Sequence, residues 1–158
     1  MISAYQHTSH WCIGQELAAR FAPENANKVL TAEISGNAPA LEVPVVLARK
    51  IWSVTMPPDA HERMVPSRTK GGMVQLIVAR DFLSEGDRVL IIDDFLATGR
   101  TIEALASIVR ESGAELVGIG AVIEKAFEDG RERLTGLDVP IESVAIIESM
   151  EDDTIVIR

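Results

Sequence analysis

An apolar stretch that ends in two acids and a glycine-containing turn constrains the fold more than any other feature. Val89–Ile92 is uninterruptedly apolar, and Asp93 and Asp94 follow it directly. The turn leads into Thr101–Ser112, where apolar side chains recur at helical spacing. A short unbroken apolar run is typical of a strand buried on both faces, as in parallel sheets covered by helices. The sequence therefore predicts an α/β fold with a strand-loop-helix unit at this point.

The rest of the chain alternates between strand and helix patterns. The predicted helices are Cys12–Phe21, Thr101–Ser112 and a short Ala126–Leu134, and the predicted strands are Lys28–Ile34, Val43–Ala48, Arg88–Asp93, Glu115–Ile123, Ser143–Ile147 and Thr154–Ile157. Ile51–Met56 and Met73–Leu83 are interpreted as a β-hairpin arm around a long, mobile polar loop at 57–70. Successive β-α-β units imply one domain over residues 1–158, with a mostly parallel central sheet flanked by helices and residues 1–27 as an N-terminal hood or helical segment.

One connection is shorter than this fold allows. Only eight residues separate the strand ending at Ile34 from the one beginning at Val43. A crossover between neighbouring parallel strands needs about a dozen residues or more. Either these two strands are not neighbours, or the chain lacks residues near 37–42, and we favour the second interpretation.

Composition excludes several classes of function. The formal net charge is −9 and the basic residues form no block, which argues against nucleic acid as the primary ligand. No apolar run approaches the roughly 18 residues of a membrane span, and Met1–Gln15 does not have the pattern of a secretion signal. The lone Cys12 suits the reducing cytoplasm, and with His7 and His10 it makes too small a set for a metal site.

The acid pair and the turn suit two different groups on one ligand. Carboxylates such as Asp93 and Asp94 accept hydrogen bonds from hydroxyls, and the vicinal diol of a ribose offers two donors. The turn at 97–101 supplies small side chains, the hydroxyls of Thr98 and Thr101, and amides at the positive end of a helix, which suit a phosphate monoester. The alternative is a plain connection in which Asp94 or Thr98 caps the helix.

The whole string from Val89 to Thr101 resembles the phosphoribosyl pyrophosphate signature of type I phosphoribosyltransferases. Three further segments are similar to bacterial xanthine phosphoribosyltransferases. Thr31–Pro39 resembles their Glu-x-Ser-Gly-x-Ala-Pro turn, Pro44–Lys50 resembles the strand that delivers an Arg-Lys pair to pyrophosphate, and Gly118–Phe127 with the following Gly130 resembles their base-binding strand and turn. The resemblance runs from about Lys28 to the C-terminus.

The resemblance implies transfer of a 5-phosphoribosyl group from phosphoribosyl pyrophosphate to a 6-oxopurine in purine salvage, releasing pyrophosphate. The implied catalytic residues are Asp93, Asp94 and Lys70, and the implied binding residues are Ala97, Thr98, Gly99, Arg100 and Thr101 for the 5′-phosphate, Ser35, Gly36, Arg49, Lys50, Ser67 and Thr69 for the pyrophosphate, and Lys125 and Phe127 for the base. Mg²⁺ is expected through the pyrophosphate, with Asp93 or Asp94 as a further ligand. The resemblance also implies a homodimer.

Lys125 bears on the choice of base. Its ammonium group has only donors, which fit an exocyclic carbonyl and not the amino group of adenine. A 6-oxopurine is therefore favoured, and the resemblance places xanthine first, followed by hypoxanthine and guanine. Two alternatives remain open at this point, an adenine phosphoribosyltransferase and a non-catalytic regulator that senses phosphoribosyl pyrophosphate.

Overall fold

The computed structural model describes residues 3–33, 43–52, 58–67, 71–151 and 154–158, with side chains from residue 12 onward. The helices are α1 (Ser3–Phe21), α2 (Arg100–Glu111) and α3 (Gly130–Leu134). The strands are β1 (Lys28–Ala32), β2 (Val45–Ala48), β3 (Ala60–Pro66), β4 (Met73–Ala79), β5 (Arg88–Leu96), β6 (Glu115–Lys125), β7 (Ile141–Glu151) and β8 (Thr154–Ile157).

Six of the strands form the central sheet, in the order β2-β1-β5-β6-β7-β8. All its pairings are parallel except that of β7 with β8. β3 and β4 pair antiparallel as a separate two-stranded sheet. The predicted α/β class, with a mostly parallel sheet and a hairpin arm, is confirmed. Within the described residues, no helix is long and apolar enough to span a bilayer.

Apolar side chains pack on both faces of the central sheet, and β5 supplies both cores. Val89 and Ile91 belong to the larger core, which includes the buried side of α2. Leu90 and Ile92 belong to the smaller core, which they share with residues of α1. This alternation follows from the two-residue period of a strand, and it explains why β5 reads as a continuous apolar run.

The hairpin arm is present, but its first strand lies elsewhere than predicted. The strand is β3 at Ala60–Pro66, inside the stretch interpreted as a polar loop, while Ile51 and Trp52 are exposed and outside any strand. Residues 53–57 lie outside the described part of the chain. The prediction was wrong because only one side of β3 is buried, at His61 and Val65, so polar residues occupy much of it. Six residues, 67–72, accordingly separate the two strands.

β1 and β2 are parallel neighbours, with Leu30 opposite Val46. The first of the two explanations for their short connection is therefore wrong. Both strands are shorter than predicted, and the connection spans residues 33–44, which meets the minimum for a crossover. Residues 34–42 lie outside the described part of the chain, and the absence of residues near 37–42 stays a prediction.

Candidate active site

A cavity of about 630 Å³ opens at the carboxyl end of β5, against the first turn of α2. This is the position at which open α/β sheets bind ligands. Most of the predicted site residues within the described ranges line it. They are Lys50, Ser67, Asp93, Asp94, Ala97, Thr98, Gly99, Arg100, Thr101 and Lys125.

Asp93 and Asp94 reach this cavity at the end of the buried strand. Asp93 is 6% exposed, and its Oδ1 accepts a hydrogen bond from the amide of Asp94 at 3.1 Å. Asp94 Oδ1 accepts one from the amide of Phe95 at 2.9 Å. Among the described residues, Lys50 is the cation that lowers the pKa of Asp93 through its charge, with no hydrogen bond to the carboxylate, so the pair keeps acceptor capacity for a ligand.

The acid pair is electrostatically strained. Burial first, and then the neighbouring Asp94 carboxylate, raise the pKa of Asp93 to about 7, while the Asp94 amide and Lys50 oppose the shift. Near neutral pH this carboxyl is therefore divided between its two protonation states. Hydroxyl donors or a cation arriving at the pair would favour the ionised form.

The turn between β5 and α2 is built for close approach. Ala97 is buried and Gly99 has a φ of 73°, a conformation that favours glycine. The carbonyl of Gly99 accepts the amide of Glu103 at 2.9 Å, and that of Thr98 accepts Arg133 Nε at 2.9 Å. Because the first amides of a helix have no acceptor within the helix, the N–H groups at the start of α2 that precede Glu103 are available to an anion.

Lys125, at the end of β6, lies at the rim of the same cavity. Its Nζ is 5.5 Å from the centroid of the Phe95 ring and 3.8 Å from Glu128 Oε1. Both contacts are weak enough for the ammonium group to reach a ligand.

Two predicted residues lie away from the cavity lining. Arg49 pairs through its backbone with Ile77 of β4, at 2.8 Å in both directions. Phe127 follows Lys125 on the outer surface and is 46% exposed. Ser35, Gly36, Thr69 and Lys70 lie outside the described residues.

Phe95 lines the cavity and was missed from the sequence. Its signal was available, because the period of a strand places residues 93 and 95 on the same side, and Phe95 directly follows the acid pair. It is 44% exposed, so its ring offers a flat apolar surface beside Lys125.

The side chains of the cavity fit a Mg²⁺ ion that is held mainly by a bound phosphate compound and only partly by the protein. No group of three or more His, Cys, Asp or Glu side chains suited to a metal occurs among the described residues. The acid pair offers carboxylate oxygens only, the hard ligands that Mg²⁺ accepts alongside phosphate and water. Asp93 and Asp94 are thus the residues that would complete the coordination of a phosphate-bound ion.

Comparison with known proteins agrees with this geometry. Residues 16–153 match the family model of the phosphoribosyl transferase domain. The chain is 49% identical to the xanthine phosphoribosyltransferase of Deinococcus deserti, over 89% of this chain and 76% of the relative. It is 47% identical to that of Brevibacillus brevis, over 90% and 76%.

Solved structures show the same fold. The adenine phosphoribosyltransferase of Thermoanaerobacter pseudethanolicus is 30% identical, with a TM-score of 0.75 over 88% of this chain and 80% of that one. The enzyme of Giardia lamblia complexed with 9-deazaadenine is 24% identical, with a TM-score of 0.78 over 90% and 81%. The chain therefore belongs to the phosphoribosyltransferase domain family and has its type I fold.

Proposed function

We propose that the protein is a xanthine phosphoribosyltransferase of purine salvage, which makes a nucleoside monophosphate and pyrophosphate from xanthine and phosphoribosyl pyrophosphate. The observation that carries this proposal is one cavity in which a buried acid pair and an amide-lined turn lie side by side. The identity to xanthine phosphoribosyltransferases supports the choice of base.

In this reaction the bond between C1 of the ribose and the pyrophosphate oxygen breaks, and a ring nitrogen of the base forms the new bond to C1. The bonding electrons leave with pyrophosphate, and the base gives up its proton. The sugar becomes cationic on the way, so the protein needs no covalent nucleophile and acts through positioning and charge. Asp93 and Asp94 would hold the ribose hydroxyls and place negative charge beside the developing cation.

The 5′-phosphate would bind in the turn of residues 97–101. Support comes from the first amides of α2 and from the Thr98 and Thr101 hydroxyls, all beside the acid pair. Because the 5′-phosphate does not take part in the reaction, its binding in the turn would serve to fix the orientation of the sugar.

The pyrophosphate would leave through the part of the cavity that Lys50 and Ser67 line. Ser35, Gly36, Thr69 and Lys70 are proposed to join them. Arg49, which lies outside the cavity lining, is proposed to contribute from beside Lys50. The hairpin tip is closed by a hydrogen bond of 2.9 Å from the Ser67 amide to the Gly72 carbonyl, and Gly71 and Gly72 both have positive φ. Mg²⁺, when bound, would neutralise charge on the departing pyrophosphate.

The base would lie between Phe95 and the turn that carries Phe127, with Lys125 donating to an exocyclic carbonyl. A donor at this point suits the oxopurines and opposes adenine. As parts of the same proposal, we place the reaction in the cytoplasm and expect a homodimer.

The test is an assay of the purified protein with phosphoribosyl pyrophosphate, Mg²⁺ and each of xanthine, hypoxanthine, guanine and adenine. When each base is supplied at the same limiting concentration, we expect pyrophosphate release to be fastest with xanthine. A preference for adenine would replace the proposal with adenine phosphoribosyltransferase, the function named for the similar solved structures. Binding of phosphoribosyl pyrophosphate with no release for any base would indicate a regulator.

A further inference from the structure

The start of α3 lies directly against the turn proposed to hold the 5′-phosphate. A Cβ added to Gly99 would lie 2.8 Å from the carbonyl oxygen of Gly130, and a Cβ added to Gly130 would overlap the carbonyl of Ala97. Two backbones can approach this closely only where neither carries a side chain. The shape of the turn therefore depends on where α3 begins.

Arg133, one turn into α3, adds a polar contact to the same loop. Its Nε donates to the carbonyl of Thr98 at 2.9 Å, and its Nη1 lies 3.7 Å from Glu103 Oε2 on α2. A trans peptide points its C=O and N–H in opposite directions. Holding the Thr98 carbonyl toward Arg133, which does not line the cavity, thus turns the Gly99 amide away from α3.

α3 is itself fixed to the sheet by an ion pair between a buried carboxylate and a partly exposed guanidinium. Glu124 of β6 is 4% exposed and accepts Arg131 Nε at 2.7 Å and Nη2 at 2.6 Å. Ser143 Oγ donates to the same carboxylate at 2.7 Å, and Arg131 Nη1 donates to the carbonyl of Ile141 at 2.9 Å. The Arg131 guanidinium, with help from Ser143, keeps the pKa of Glu124 below its usual range despite burial. The pair therefore stays charged at neutral pH and holds α3 to two strands.

We propose that Arg133 and Gly130 are positioning residues, which hold the turn at 97–99 in the shape that binds the 5′-phosphate while the Glu124–Arg131 pair anchors them to the sheet. This inference rests on the proposed function, in that the turn is taken as the phosphate site. The residues that follow β6, which carries the proposed base contact Lys125, would thus also support binding of the 5′-phosphate.

The test compares R133M, R133K and G130A with the wild type by calorimetric binding. R110M is the matched control, because Arg110 is exposed near the far end of α2. The ligands are phosphoribosyl pyrophosphate and pyrophosphate alone, each with Mg²⁺, since only the first carries a 5′-phosphate. Thermal unfolding of each variant identifies any loss of fold.

We expect R133M to weaken phosphoribosyl pyrophosphate binding about fivefold to tenfold, because it removes the hydrogen bond from Arg133 that holds the Thr98 carbonyl. Pyrophosphate binding should stay within about twofold of the wild type. R133K should recover part of the lost affinity for phosphoribosyl pyrophosphate, and R110M should lose none. G130A should lose more affinity than R133M. Equal weakening of both ligands in R133M, or no weakening of either, would overturn the inference. Because binding is measured without turnover, an inactive wild type would contradict only the proposed function.

Discussion

The acid pair at the end of β5, which is proposed to bind the ribose, lowers the stability of the ligand-free protein. A residue that continued the apolar pattern of β5 would favour folding, but Asp93 occupies the buried position, and its pKa is raised to about 7 by burial and by Asp94. Sites that hold charge ready for a ligand commonly destabilise the empty protein. The same physical cause predicts both an effect on stability and its dependence on pH.

Asp93→Asn should stabilise the ligand-free protein, and more so at higher pH. The carboxyl titrates at about 7 when folded against an ordinary value of 3.8, so its ionisation opposes folding. The stability of the wild type relative to the variant should fall as pH rises from about 4 to about 7 and level off above it. The full difference is at most about 4 kcal/mol.

Chemical denaturation of both proteins at pH 5, 6, 7 and 8 measures this difference. A difference that is independent of pH would contradict the raised pKa. The variant should also lose turnover, in line with the proposed role of Asp93.

Lys125→Met should impair use of the base without impairing use of phosphoribosyl pyrophosphate. A hydrogen bond from a charged donor is worth about 1.5–3 kcal/mol, so the KM for xanthine should rise about tenfold or more. Initial rates with each substrate varied in turn measure the two KM values. An equal rise in both would mean that Lys125 shapes the cavity as a whole.

At the scale of elements, β5 and α2 could be predicted from sequence, and the hairpin could not be fully placed. β5 and α2 carry unbroken patterns with periods of two and 3.6, and their bounds shift by only a few residues. In β3, His61 and Arg63 are polar because they bind Glu111 and Ser107 of α2. Such partners lie far away in sequence, and no local pattern announces them. Phe95 is different, because the two-residue period of the strand places it on the same side as Asp93 and could have identified it from the sequence.

Glu111 joins the hairpin to α2. His61 Nδ1 lies 2.9 Å from Glu111 Oε1, Arg63 Nη2 lies 2.6 Å from Oε2, and Arg80 Nη2 lies 3.4 Å from Oε1. The hydrogen bonds from His61 and then Arg63 keep the pKa of Glu111 below its usual range. Since the hairpin tip carries Ser67, this junction sets where one wall of the cavity lies.

Glu111→Gln should loosen the hairpin without unfolding the protein. Because the carboxylate is partly exposed, we expect a cost of about 1 kcal/mol. Amide hydrogen exchange should increase in β3 and β4 and change little in β6. Glu103→Gln, also on α2 and exposed, is the control for charge. An equal increase in hydrogen exchange throughout the chain would contradict the view that Glu111 stabilises the hairpin locally.

On the scale of the whole molecule, two cores share one sheet. Leu17 of α1 and Leu105 of α2 are both 0% exposed and lie in different cores, on opposite faces of the strand they both cover. β5 contributes alternate side chains to each core, so neither face can open without disturbing the other. Cooperative unfolding of the whole chain follows.

Leu17→Ala and Leu105→Ala should each lower the midpoint of a single unfolding transition. Each change removes a buried leucine and should cost about 2–5 kcal/mol. Because Leu17 and Leu105 lie in different cores, their effects on the free energy of unfolding should be nearly additive in the double variant. Calorimetry measures the transitions. A second, separate transition in either variant would show that the faces unfold independently.

The close approach of Gly99 and Gly130 has a consequence for redesign. Grafting the loop after β6 from a relative to change the base specificity would also replace Gly130, against which the turn proposed to hold the 5′-phosphate packs. Such chimaeras should work only when both stretches are exchanged together, so the two halves of substrate recognition must be treated as one transplantable unit.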